Sequence, residues 1–175
     1  MKDNISRIVD ELIGFSNQAG GWSDTKPDRY LPSLEELDRG LSLLRRIFFP
    51  GYFESPAAGQ LKSRFAIGAL IETVHSILCE QLHHCIQYNC QFKSPSHLCR
   101  QEAESRVDDF LACLPLIKEA LHLDAQAAYD GDPSAKSIGE VIFCYPSIRA
   151  LINYRVAHEL DKLKVPIIPR ILTEM

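Results

Sequence analysis

Apolar side chains recur along this chain at helical spacing. Ile5, Ile8, Val9, Leu12 and Ile13 fall at i, i+3, i+4, i+7 and i+8, one face of an amphipathic helix. A polar, glycine-containing loop is predicted over 16–31. Ser33-Leu-Glu-Glu36 then reads as a capping box, the serine accepting from a first-turn N–H and the glutamate reaching back, so the spacing predicts a helix to about Phe48, ended by Pro50-Gly51. The strongest pattern covers 66–89, where Ile67, Leu70, Ile71, Val74, Ile77, Leu78, Leu82 and Cys85 share one broad face. After a loop around Lys93-Ser-Pro-Ser96, another helix is expected near 101–113. Pro115 is expected in the first turn of the next one, where its missing N–H does no harm. Asp130-Gly-Asp-Pro133 is a turn signal, followed by a short helix near 137–143, a longer one over 146–163 and a terminal one from about Pro166.

No alternating period-2 run of useful length interrupts this pattern. The expected class is all-α, a bundle of about seven to eight helices in a single domain over 1–175. It divides into an N-terminal helix and loop (1–30), a main bundle (31–130) and a closing group of helices (131–175). The 146–163 segment has two apolar edges. Ile148, Ile152, Val156, Leu160 and Leu163 line one side, and Leu151, Tyr154 and His158 lie nearly opposite. Such a helix is either central or pressed against another subunit. The apolar stretch over 165–172 likewise needs a neighbour to cover it.

Composition narrows the picture. With 175 residues and 46% apolar side chains the chain can bury a core. A net charge of -4 gives no long-range attraction for nucleic acid, and the basic doublet Arg45-Arg46 lies inside an apolar periodic segment. The N-terminus lacks a secretory apolar stretch, and no run is expected to cross a membrane, so a cytoplasmic location is expected. Six cysteines, at 79, 85, 90, 99, 113 and 144, with no Cys-x-x-Cys pair, then read as reduced thiols packed as small hydrophobes.

Two metal patterns are weighed and set aside. Glu72-x-x-His75 and Glu80-x-x-His83 imitate the paired motifs of di-iron bundles. Those motifs belong on facing helices, whereas here they share one helix about 12 Å apart. Cys79 and His83, with His97 or Cys99 returning from the next loop, contain enough ligands for zinc but match no standard zinc module.

From Asp124-Ala-Gln-Ala-Ala-Tyr-Asp-Gly-Asp-Pro133 through Val141-Ile-Phe-Cys-Tyr-Pro146, Asn153-Tyr-Arg-Val-Ala-His-Glu-Leu160 and Val165-Pro-Ile-Ile-Pro-Arg170, the chain resembles the end of the N-terminal helical domain of serine O-acetyltransferases. A looser likeness reaches upstream, through Leu31-Pro-Ser-Leu-Glu-Glu-Leu37 to Leu44-Arg-Arg-Ile-Phe-Phe-Pro-Gly51. The resemblance implies the first step of cysteine biosynthesis, acetyl transfer from acetyl-coenzyme A to the hydroxyl of L-serine. It also implies that the catalytic histidines and the coenzyme A site lie on a left-handed β-helix of hexapeptide repeats, none of which occurs in these 175 residues. This chain is therefore expected to hold no catalytic, cofactor or metal residue and to be inactive alone.

The resemblance places Asp132 at the position of a helical-domain aspartate that pairs with the substrate ammonium group. On residue chemistry alone, Asp132-Pro133 is an ordinary turn and cap. His158 falls in a Tyr-Arg-x-x-His pattern that does not match the catalytic histidine, so it, Tyr154 and Arg155 are expected to pack or form ion pairs. The partners implied are further copies of the chain through the helical domains, and cysteine synthase through a C-terminus outside these residues. The rival reading is a non-catalytic oligomerisation or interaction module that keeps the helical fold.

Overall fold

The computed structural model describes residues 2–18, 31–53, 64–90 and 96–175. Seven helices make up the regular structure of these residues: α1 (Lys2–Gln18), α2 (Leu34–Phe48), α3 (Arg64–Asn89), α4 (Ser96–Gly131), α5 (Ile138–Cys144), α6 (Pro146–Lys162) and α7 (Ile168–Thr173). The chain divides into two compact units, 1–30 and 31–175. In the first, α1 carries Ile5, Ile8, Val9 and Ile13 at exposed positions of its apolar face. It reaches Gln18, so the predicted loop begins later than Ser16, and the rest of that loop lies outside the described residues.

In the second unit α3 packs on α2 and α4, α4 also meets α5 and α6, and α6 packs on α7. The core is built from complementary stripes: Leu37, Leu41, Leu44 and Phe48 of α2, Val74, Leu78, Leu82 and Cys85 of α3, Phe110, Ile117 and Leu121 of α4, and Ile148, Ile152, Val156 and Leu160 of α6. Ten residues of α3 are buried. By length and composition this helix is apolar enough to cross a membrane, contrary to the expectation from sequence. Its packing on α2 and α4 buries part of that apolar surface, including Val74, Leu78 and Leu82.

Helix ends follow local chemistry. The Ser33 hydroxyl accepts from the Glu36 N–H at 3.3 Å, as a cap should. The other half of the expected capping box is replaced: the Ser33 N–H donates to the buried Gln81 side chain at 2.6 Å, and Glu36 instead pairs with Arg39 at 3.2 Å. Phe49 closes α2 by donating to the Arg45 carbonyl, and Gly51 turns the chain at φ +92, a conformation that suits glycine.

The largest departure from the predicted pattern is α4. In place of two helices separated near Pro115, one 36-residue helix runs through the proline. Its buried residues Cys99, Ala103, Val107, Phe110, Leu114, Ile117, Leu121 and Ala125 recur every three or four positions without a phase slip, while Pro115 points to solvent. The backbone hydrogen bond lost at Pro115 is outweighed by an unbroken apolar stripe on both sides.

Candidate functional site

Asp132 lies where α4 ends and the chain turns toward α5. The turn is built by its own side chain. One carboxylate oxygen accepts from the Ser134 N–H at 2.9 Å and the Ser134 hydroxyl at 2.7 Å, and the Ala135 N–H donates to the Asp132 carbonyl at 3.0 Å. Pro133 fits here because a turn leaves its missing N–H without consequence. The second carboxylate oxygen accepts from the Tyr145 hydroxyl at 2.5 Å, which ties the turn to the α5–α6 corner.

These contacts fix the charge. The hydrogen bonds from the Ser134 side chain, the Tyr145 hydroxyl and the Ser134 backbone hold Asp132 below the usual carboxylate range, and the same contact raises the Tyr145 phenol. Asp132 is partly exposed and forms no ion pair among the described residues, so an anionic oxygen pair is presented at the end of α4 with no cation upon it. Ser137 starts α5 by accepting from the Glu140 N–H at 3.1 Å, and Glu140 accepts from the Lys136 N–H at 2.9 Å, which stiffens the far side of the same turn.

The neighbouring motif residues have other tasks. Arg155 donates two hydrogen bonds to Asp124, at 2.6 and 2.7 Å, a bidentate pair that fastens α6 to α4. His158 is exposed and stacks on Tyr154, with ring centroids 5.8 Å apart and planes 14° apart. Of the two apolar edges of α6, the side with Ile148, Ile152, Val156 and Leu160 is buried, and Tyr154 and His158 stand exposed on the other.

The metal patterns resolve differently from either sequence grouping. Glu72 is exposed, and His75 sits 3.3 Å from Asp108 and 3.5 Å from the Cys79 sulfur. Cys79 therefore meets His75 and not His83, and burial, followed by the nearby acidic Glu104 and Asp108, raises its thiol to about 11. Cys99 faces Cys90, their sulfurs 3.8 Å apart. Glu80, His83 and His84 do bring ligand atoms within 4.8 Å of one another. Arg100 occupies that cluster, donating to Glu80 at 3.0 Å and lying 3.3 Å from the His83 ring. Burial, then the Arg100 cation, lowers the His83 pKa.

No protein-family model matches the chain. A protein of Synechococcus elongatus described as "Serine acetyltransferase, plasmid" is 37% identical over 151 residues, covering 83% of this chain and 47% of that protein. The crystal structure of Entamoeba histolytica serine acetyltransferase 1 in complex with L-cysteine is similar over 83% of this chain and 46% of its own, at 29% identity and a TM-score of 0.63. This chain matches the N-terminal helical domain of serine acetyltransferase. Isoform 3 from the same organism, also with cysteine, shares the fold over 94% of this chain at 22% identity and a TM-score of 0.63. The chain spans about half the length of the first serine acetyltransferases it matches.

Sequence reasoning singled out Asp132 but missed its two partners. Ser134 was legible, because Asp-Pro-Ser is an Asx-turn pattern. Tyr145 stands thirteen residues away, and no local signal couples it to Asp132.

Proposed function

We propose that this chain supplies the helical half of a serine O-acetyltransferase, and that Asp132 binds the ammonium group of L-serine. The observation that carries the reading is the 37% identity sustained over 151 residues with a serine acetyltransferase. In the reaction the serine hydroxyl attacks the thioester carbonyl of acetyl-coenzyme A and gives up its proton to a base. The carbon–sulfur bond breaks, and O-acetylserine and the free thiol of coenzyme A leave. The base and the coenzyme A groove belong to the repeat domain, so the 175 residues alone are inactive. The protein works in the cytoplasm, where its thiols stay reduced.

Within that scheme Asp132 is a positioning group for the substrate. A carboxylate held anionic, fixed in direction by three hydrogen bonds and with no ion pair among the described residues, suits a charge-assisted contact with an ammonium ion. The test replaces the helical half of a full-length serine acetyltransferase with this chain and compares it with its Asp132→Asn form. Asparagine keeps the size and much of the turn while removing the charge. The Michaelis constant for serine should rise about ten- to a hundredfold, with that for acetyl-coenzyme A unchanged. An unchanged serine constant would reduce Asp132 to a turn residue.

A further inference from the structure

An open pocket of about 410 Å³ lies between α2, the chain after it and the α5–α6 corner, and its lining combines two like charges with apolar walls. Arg45 comes from α2 and Arg149 from the first turn of α6. Phe53 and Phe143 stack with centroids 6.2 Å apart and planes 18° apart, and Ile142 and Ile152 supply buried aliphatic surface.

Among the described residues nothing neutralises the two guanidiniums. Arg45 donates to the Asn153 side-chain oxygen at 3.2 Å, and its buried Nε meets no acceptor among the described residues. Among the described residues neither Arg45 nor Arg149 forms an ion pair. Burial, then the Arg149 cation, holds the Arg45 guanidinium below its usual range, with Asp38 pulling weakly the other way. A partly buried Arg45 cation beside the exposed Arg149 cation is stabilised when an anion comes between them.

We propose that this pocket binds a small organic anion, a carboxylate or phosphate ester on an aromatic or aliphatic body, with its head between Arg45 and Arg149 and its body against Phe53 and Phe143. The guanidinium fork matches both kinds of head. The volume falls in the range of small-molecule sites, and the division into charged end and apolar wall is what such sites use to fix orientation. Tyr145 also lines the pocket while its hydroxyl holds Asp132, so a ligand here touches the support of the serine-site candidate. The site itself does not depend on that assignment.

The experiment titrates the full 175-residue chain with 3-phenylpropionate and with phenyl phosphate, following backbone amide shifts of Tyr145 and Arg149 by NMR. Acetate provides the head alone and 3-phenylpropan-1-ol the body alone. At least one aromatic anion should bind about tenfold or more tightly than either control, because both a charge-assisted contact and apolar burial are needed. Whichever of the two binds more tightly identifies the preferred head. Arg149→Gln, at an exposed position, should weaken binding about tenfold without changing the helical circular dichroism. Arg45→Lys provides a second variant that keeps the charge but loses the fork. Equal binding of the alcohol, no binding of either anion at millimolar concentration, or an Arg149→Gln protein that binds as before would each overturn the proposal.

Discussion

Asp132 accepts three hydrogen bonds and meets no cation among the described residues, and each half of that statement has a consequence. The bonds favour the ionised form, so the folded pKa lies below that of the unfolded chain. The stability this gives the turn is fully present above the unfolded value, near pH 4, and is lost only as pH falls through the lower folded value. Tyr145 contributes part of that shift from across the turn. Following the Asp132 carboxyl carbon by NMR, Tyr145→Phe should raise the titration midpoint toward the ordinary range without reaching it, since both Ser134 bonds remain. A midpoint that does not move would mean that the tyrosine hydroxyl does not hold Asp132 in solution.

Among the elements, α4 shows best where sequence reading succeeds and fails. Pro115 is a strong local breaker, and local reasoning ends a helix there. The stripe from Cys99 to Ala125 keeps its phase through the proline, and that longer-range regularity was the signal to weigh against it. Pro115 is exposed, so replacing it removes little packing. Pro115→Ala should restore the bond to the Leu111 carbonyl and stabilise the protein by about 1–3 kcal/mol, read from urea unfolding. Destabilisation would show that α4 uses a proline-shaped bend that alanine does not reproduce.

The remaining helices were legible because each has a clean apolar face or a cap: Ser33 before α2, the broad stripe of α3, Pro146 opening α6. What the sequence did not disclose are contacts between distant elements. Gln81 takes the Ser33 N–H expected to go to Glu36, Arg100 fills the histidine cluster, and Tyr145 reaches Asp132. Each depends on how helices pack, and no spacing along one helix encodes it.

For the whole molecule, the uncovered surface points to association. Leu116 and Leu123 of α4 and Tyr154 of α6 are exposed large side chains, at 69%, 66% and 55%. Leu116, Tyr154 and His158 line one shared depression, a surface that copies of the chain would cover together. Sedimentation at high micromolar concentration should show a species larger than a monomer, and Tyr154→Glu should shift it toward the monomer. A wild-type chain that stays monomeric throughout would remove this face as the contact. Whether these residues serve as the helical half of an acetyltransferase is read from activity. Thiol release from acetyl-coenzyme A is measured with serine present, for the chain alone and for the chain joined to the hexapeptide-repeat half of a serine acetyltransferase. No release above a buffer blank is expected from the chain alone, and serine-dependent release is expected from the joined protein. A folded joined protein that transfers nothing, or turnover by the isolated chain, would contradict that role.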